Sequence, residues 1–567
     1  MSSKGASFPE PQISHDVLIA GGGLAGLTLA LQLKDAMPEL DVRVVERRAH
    51  PVPVAAHKVG ESTVEIGAHY LAETLRLREH LDTHHVRKFG FRFFFSEGAH
   101  DLGRVTELGA SRVLPTPAWQ IDRGIFENFL AGEAVRRGVR FDDVTAVRRI
   151  ELDAGEGHRV EIERNGARER VCARWLVDAS GRAGLLKRKL DLAEDNAHDA
   201  NAVWFRIDAR LGVDDWVTDP AWQARCDPPA RWRSTNHMCG PGYWLWLIPL
   251  GSGAHSIGIV ADAALHPLET MNTFERAMAW IETHQPVIHA RISGILDGAP
   301  DALMDFAFFR NFSYGCKQIF SRDRWAITGE AGWFLDPFYS PGSDFIAIGN
   351  TYITELIRAD RAGEPLRKPV LLHGEFFRQF YTSMLTLYTD QYPLFGDARV
   401  MPVKVLWDYA YYWGALCPLF FQQRLTDLAV FKDLEEPLER ARSLNSGMQI
   451  LMREWSAATC PAEIDAHAGA TEMLDQAALP WFAELNRGLT DRLDDAGVRS
   501  RIRDNVELLE RLGAEISGLA VRDAPVLAAH LPPGIAPADA QRFLTGMTWQ
   551  RPAGPSRPRP PGSDIQS

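Results

Sequence analysis

Cysteine is scarce in this chain: six in 567 residues, at positions 172, 226, 239, 316, 417 and 460, with no C-x-x-C spacing and no partnered histidine pattern. That excludes a zinc site of the finger type and a disulfide framework, so no metal is expected and a reduced, cytoplasmic protein is. Positive charge is also short, with 62 Lys and Arg against 74 Asp and Glu, a formal net charge of -12. The nearest thing to a basic cluster is Lys187-Arg188-Lys189, which reads as a solvated face. Nucleic acid and anionic membrane surfaces need a clustered basic face and are not expected partners. No apolar run approaches the roughly 20 residues of a membrane helix, and Met1 to Ile13 is polar, without the apolar stretch of a secretory leader.

What is present is an ordinary globular composition, 46% hydrophobic and 24% charged, in a chain long enough for two or three domains. Asp16-Val17-Leu18-Ile19-Ala20 reads as a buried strand running into Gly21-Gly22-Gly23-Leu24-Ala25-Gly26 and an apolar helix from Leu27 to Leu33. A second strand, Asp41 to Glu46, puts an acidic residue about twenty positions beyond the last motif glycine, where it can bond a ribose hydroxyl. A lone G-x-G-x-x-G is weak; inside a complete βαβ unit it predicts dinucleotide binding. Arg174 to Arg182 and Arg324 to Gly332 each look like a parallel strand ending in a small-residue turn, and alternating stretches between about 200 and 300 predict a mainly antiparallel sheet over the cofactor.

The expected class is α/β (α+β), with residues 1–13 a flexible start and 14–370 a Rossmann-like core holding inserted substrate-sheet regions at about 90–120 and 200–310. A helical region follows at 371–545, and 546–567 is a disordered Pro-rich tail.

Several short segments, in order along the chain, resemble the flavin-dependent halogenases, typified by the tryptophan halogenases, within the FAD-dependent aromatic hydroxylases. The resemblance covers roughly residues 14–420. It implies that Gly21, Gly23 and Gly26 hold the pyrophosphate of FAD and Glu46 the ribose. Val59-Gly60-Glu61-Ser62-Thr63 looks like the family's G-E-x-T segment near the isoalloxazine, with Glu65 close to where a proline often follows. Arg123 after Asp122 matches an arginine that approaches the flavin, and Asp178 to Gly181 a D-A-S/T-G turn. Gly329-Glu330 with Asp336-Pro337 looks like the second flavin signature, with Glu where Asp is usual.

Two features point to halogenation within that resemblance. In Arg87 to Phe95 the period-2 rule puts Lys88, Gly90, Arg92 and Phe94 on one face of a strand and four phenylalanines on the other. Lys88 matches the family's catalytic lysine, held to accept or position hypohalous acid; a pKa lowered by burial suits that role. The alternative is a lysine snorkelling at a strand edge. Trp244 and Trp246 share one side of their strand and match the W-x-W-x-I-P segment that keeps organic substrate from the flavin; the alternative is two packed core tryptophans.

The departure is at Asp336-Pro337-Phe338-Tyr339-Ser340-Pro341-Gly342. Tryptophan halogenases carry Glu-Ser here, whereas this chain has Tyr339 before Ser340, and Pro341 has no N–H to help hold halide, leaving that to Gly342 and its neighbours. The resemblance therefore implies FADH2- and O2-dependent chlorination or bromination of an electron-rich ring, phenol, pyrrole or carrier-bound rather than free tryptophan. The route is a flavin hydroperoxide and hypohalous acid relayed to Lys88. With one dinucleotide loop in the chain, a separate NADH-dependent flavin reductase is the expected partner. Three alternatives stay open: a monooxygenase that hydroxylates or epoxidises its substrate directly, an isoprenoid reductase, and an inactive FAD-binding protein.

Overall fold

The computed structural model describes residues 13–54, 59–459, 473–538 and 542–544. Of the expected flexible ends, residues 1–12 of the start at 1–13 and all of 546–567 lie outside the described residues, as does Cys460; the other five cysteines are buried free thiols.

The strand His15–Ala20 is apolar because it is covered on both faces, and it pairs in parallel with Val42–Val45 and with Ala167–Asp178. Trp325–Ile327 adds in parallel to the far side of Ala167–Asp178, whose N-terminal half instead pairs antiparallel with His158–Arg164. The helix Leu24–Ala36 crosses between the first two strands, completing the expected βαβ unit. Its geometry depends on two glycines that close approach requires. A Cβ at Gly21 would stand 2.2 Å from the Ala179 carbonyl oxygen, and one at Gly26 would stand 2.0 Å from the Gly21 oxygen.

The second sheet has eight strands, in the order Leu303–Phe309, Ala200–Ile207, His255–Asp262, Tyr243–Pro249, Thr235–Gly240, Phe91–Phe95, Glu107–Gly109 and Met473–Asp475. Five of its seven pairings are antiparallel. The other two are parallel, Thr235–Gly240 beside Phe91–Phe95 and Met473–Asp475 beside Glu107–Gly109, so the C-terminal part of the chain supplies an edge strand. Alternation along Tyr243–Pro249 divides the interior as the sequence predicts. Trp244, Trp246 and Ile248 face the main core, while Tyr243, Leu245 and Leu247 face a second core under the helices Phe274–His284 and Pro286–Gly298.

The long helices Leu428–Thr459 and Asp495–Asp523 pack on Val400–Tyr411 and extend the main core. Val498, Ile502, Val506, Leu509, Leu512 and Ile516 form the buried stripe of the last long helix. After Tyr411 the chain continues as a π-helical turn, Tyr412–Leu416, within the aromatic stretch. Among the described residues no helix is long and apolar enough to cross a membrane.

Candidate active site

A cavity of about 710 Å³ opens between the two sheets at the start of the first long helix. Gly23 caps that helix with no side-chain bond, so no side chain satisfies its first amides, and Gly23, Leu24 and Ala25 line the cavity. A Cβ on Gly23 would meet nothing within 4 Å, the mark of a backbone that leaves room for a ligand. Glu46, at the end of the second strand, lines the same space, its carboxylate accepting from the amides of Gly22 and Arg48 at 2.7 Å each. Orphaned helix amides, a carboxylate at ribose distance along the chain and a long cleft are the donor set of a dinucleotide site, and FAD fits it.

The predicted cofactor residues divide. Gly21, Gly23, Glu46, Gly60, Glu61, Ser62, Arg123, Gly181, Gly329, Glu330, Asp336, Pro337 and Gly342 all line the cavity. Arg123 donates to the Val59 carbonyl at 2.7 Å and to Glu127, which fixes the loop before Gly60. Glu61 accepts from Arg206 at 2.8 Å. Gly26, Thr63 and Asp178 are not at the surface of the cavity. Gly26 packs on Gly21, and the Thr63 hydroxyl bonds the Trp119 backbone. Asp178 uses both oxygens on its own turn, accepting from Ser180 N at 3.0 Å and Leu186 N at 2.7 Å. Asp336 reaches the cavity with its carboxylate already engaged by His198, Tyr392 and the Phe338 amide.

Lys88 stands just behind the cavity. The expected continuous strand is broken: pairing stops at Arg87 and resumes at Phe91, with Gly90 at φ +86° between them. The left-handed glycine resets the alternation, so Lys88 lies over the Phe91 ring, 3.5 Å from its centroid, on the side the period-2 rule assigned to the phenylalanines. Phe89 is correspondingly separated from Phe91, Phe93 and Phe95 in a small cluster of its own. Lys88 is fully buried, and Nζ donates to Ser62 Oγ at 2.9 Å and to the Thr63 carbonyl at 3.0 Å. Burial pulls its pKa down to about 7, against the opposing pull of Glu65 and Asp344.

Ser62 Oγ also contacts Thr235 Oγ1 at 3.0 Å, and both residues line the cavity. Lys88 is therefore one hydroxyl away from the cofactor space. Trp244 and Trp246 form an adjoining wall, ring centroids 5.6 Å apart, with Trp244 Nε1 donating to Tyr392 and Trp246 Nε1 to Ser256. Ser340 lines the cavity in a left-handed conformation, φ +52°, just before Pro341 caps the twenty-residue helix Gly342–Arg361.

Tyr339 does not join this group. Its hydroxyl donates to Asp408 at 2.7 Å, into a buried network with Lys404 and Gln449. The carboxylates nearest Lys88 come instead from elsewhere. Asp344 accepts from Gly67 N at 2.8 Å and Tyr412 Oη at 2.6 Å, and burial raises its pKa to about 8. Glu65 opens the short helix Glu65–His69 and is likewise raised by burial. Sequence reasoning noted Glu65 only as a substitution near a motif; Asp344 and Thr235 carried no signal along the chain.

Fold and site together define an FAD-binding flavoprotein. Residues 14–241 match the FAD binding domain family. The chain is 26% identical over 496 residues to the flavin-dependent halogenase chlA of Dictyostelium discoideum, covering 78% of this chain and 80% of that protein. It is 24% identical over 385 residues to a 1H-pyrrole-2-carbonyl-(peptidyl-carrier protein) brominase of Pseudoalteromonas luteoviolacea, covering 67% and 87%. The fold matches the crystal structure of halogenase PltM in complex with phloroglucinol and FAD, with a TM-score of 0.62 and 17% identity over 88% of this chain and 96% of that one. Over most of its length the chain is thus similar to flavin-dependent halogenases, which are oxidoreductases.

Proposed function

We propose that this protein chlorinates or brominates an electron-rich aromatic ring, a phenol, a pyrrole or a carrier-bound ring rather than free tryptophan, with FADH2 supplied by a separate NADH-dependent reductase. The observation that carries this reading is Lys88, buried and held at Ser62, one hydroxyl from the cofactor cavity. Reduced FAD with O2 supplies the oxidising power that turns halide into hypohalous acid. Gly21, Gly23, Glu46, the Gly60 to Ser62 segment, Arg123, Gly181, Gly329, Pro337 and Gly342 would hold the cofactor.

The chain's own work is enclosure and transfer. Trp244 and Trp246 wall the cavity and keep an organic ring away from the cofactor. Lys88, with a pKa near 7, presents a substantial fraction of neutral amine at neutral pH and receives or orients the hypohalous acid at Nζ. Tyr339, turned to Asp408, offers no carboxylate to a cationic ring intermediate, which favours rings activated by their own heteroatom. The two relatives named above, one acting on a carrier-bound pyrrole and one bound to a polyphenol, fit that class.

Pro341 supports a second reading, a monooxygenase acting directly on its substrate, because it places a residue without an N–H at the head of the helix beside the cavity. The deciding experiment offers purified protein, FAD, a reductase and NADH a panel of phenols, pyrroles and indoles with and without bromide. Brominated product, recognised by its isotope pattern and lost in Lys88→Ala, establishes the halogenase; a gain of one oxygen indifferent to bromide makes it a monooxygenase.

A further inference from the structure

Both tryptophans of the cavity wall are tied by their indole N–H to a hydroxyl, and each hydroxyl is tied to a carboxylate of the same cavity. Trp244 Nε1 donates to Tyr392 Oη at 3.0 Å, and Tyr392 donates to Asp336. Trp246 Nε1 donates to Ser256 Oγ at 3.1 Å, and Ser256 is hydrogen-bonded to Glu61. An indole N–H cannot accept and a carboxylate cannot donate, so the direction of the first chain is dictated. The Tyr392 hydroxyl takes the indole's bond on a lone pair and gives its own proton to Asp336. All three residues are buried, and Trp244 and Asp336 line the cofactor cavity.

The two chains differ in reach. Ser256 lies on His255–Asp262, the strand beside that of Trp246. Tyr392 comes from the short turn Tyr392–Leu394 in the C-terminal region, 148 positions from Trp244. Its backbone carbonyl accepts from the Gly242 amide at 3.1 Å, just before the tryptophan strand, and its ring stacks on Phe395 with centroids 4.6 Å apart. Asp336 is held from two further sides, by His198 Nε2 at 2.8 Å and Phe338 N at 2.9 Å. One hydroxyl thus joins the eight-stranded sheet, the cofactor loop and the C-terminal region. Packing explains an aromatic ring at 392 but not its hydroxyl, because phenylalanine would stack as well and bury no polar group.

We propose that Tyr392 is a positioning residue that fixes the Trp244 ring in the cofactor cavity by hanging it from Asp336. This rests on the halogenase reading and deepens it, because the place of that ring decides what the oxidant meets. The N–H bond stops the indole turning about its side-chain torsions, the motion that would open a gap beside the cofactor. Without the hydroxyl, a buried indole N–H loses its acceptor and Asp336 loses one of three donors, so both draw in water. Water or an organic ring admitted there diverts the oxidising equivalents. Reduced FAD and O2 then give FAD and hydrogen peroxide, or FAD, water and an oxygenated ring, in place of halogenated product.

Tyr392→Phe keeps the ring and removes only the hydroxyl. In NMR spectra of the FAD-loaded protein without turnover, the indole N–H resonance of Trp244, assigned by its absence in Trp244→Phe, should shift and exchange with solvent at least about tenfold faster. In turnover with a phenol and bromide, brominated product per NADH consumed should fall at least about threefold, the difference appearing as hydrogen peroxide or oxygenated ring, with FAD affinity within about twofold of the wild type. Tyr388→Phe, which removes a buried hydroxyl bonded to neither Trp244 nor Asp336, should leave that partition unchanged. In a Trp244→Phe background the loss of the Tyr392 hydroxyl should add nothing further, since the group it acts through is gone. An unchanged resonance or partition in Tyr392→Phe, or losses that add in the double variant, overturns the proposal. A displaced Trp244 resonance alongside a wild type that yields only oxygenated product keeps the tie and removes only the halogenase reading.

Discussion

Lys88 Nζ donates to Ser62 Oγ across 2.9 Å, and Ser62 is a residue of the cofactor cavity's wall. The bond stabilises the ammonium form, because an ammonium donates more strongly than an amine. Halogenation should therefore rise with pH through a pKa near 7 as Lys88 loses its proton. In Ser62→Ala that limb should move to lower pH by up to about one unit, the worth of one hydrogen bond to a charged group. A pH–rate profile for the two proteins checks this, and coincident limbs refute it.

The same group links stability to pH. Burial places the folded pKa of Lys88 at about 7, below its ordinary value of 10.5, so between these values the unfolded chain binds more protons and stability rises with pH. Below pH 7 the full cost of burying the ammonium is present. Lys88→Met should accordingly exceed the wild type in Tm by its largest margin below pH 7, and the margin should shrink steadily towards pH 10. A margin independent of pH would show that the amine titrates as if exposed.

The glycines of the first loop should separate folding from cofactor binding. Gly26→Ala drives a Cβ to 2.0 Å from the Gly21 carbonyl oxygen, backbone that cannot yield, and should cost about 2 kcal/mol or more in stability along with FAD binding. Gly23→Ala meets no protein atom within 4 Å and should keep the wild-type Tm while weakening FAD binding at least about tenfold. Thermal melts and flavin fluorescence titrations distinguish the two.

Tyr339→Phe tests whether position 339 serves chemistry or packing. Removing the hydroxyl takes one donor from buried Asp408, which should lower stability by about 1–3 kcal/mol. Since the hydroxyl points away from the cavity, FAD affinity and the position of halogenation on the ring should not change. A changed product pattern would place Tyr339 in the substrate pocket.

Much of this protein is determined locally. The βαβ unit was legible because strand alternation, helix periodicity and close-packed glycines are dictated by neighbours along the chain, as was the division of Trp244 and Trp246 from Leu245 and Leu247. Even so, local rules failed at one residue. Gly90, at φ +86°, breaks the strand that period 2 extends through Lys88, and a glycine's freedom to leave the β region carries no signature in alternation.

What only the tertiary structure decided is which charges meet. Glu65 and Asp344 come from segments 279 positions apart and face one buried lysine from two helices, while Tyr339, adjacent to a motif serine, turns away to Asp408. Electrostatic partnership depends on distance through space and on the exclusion of water, and neither is a property of spacing along the chain.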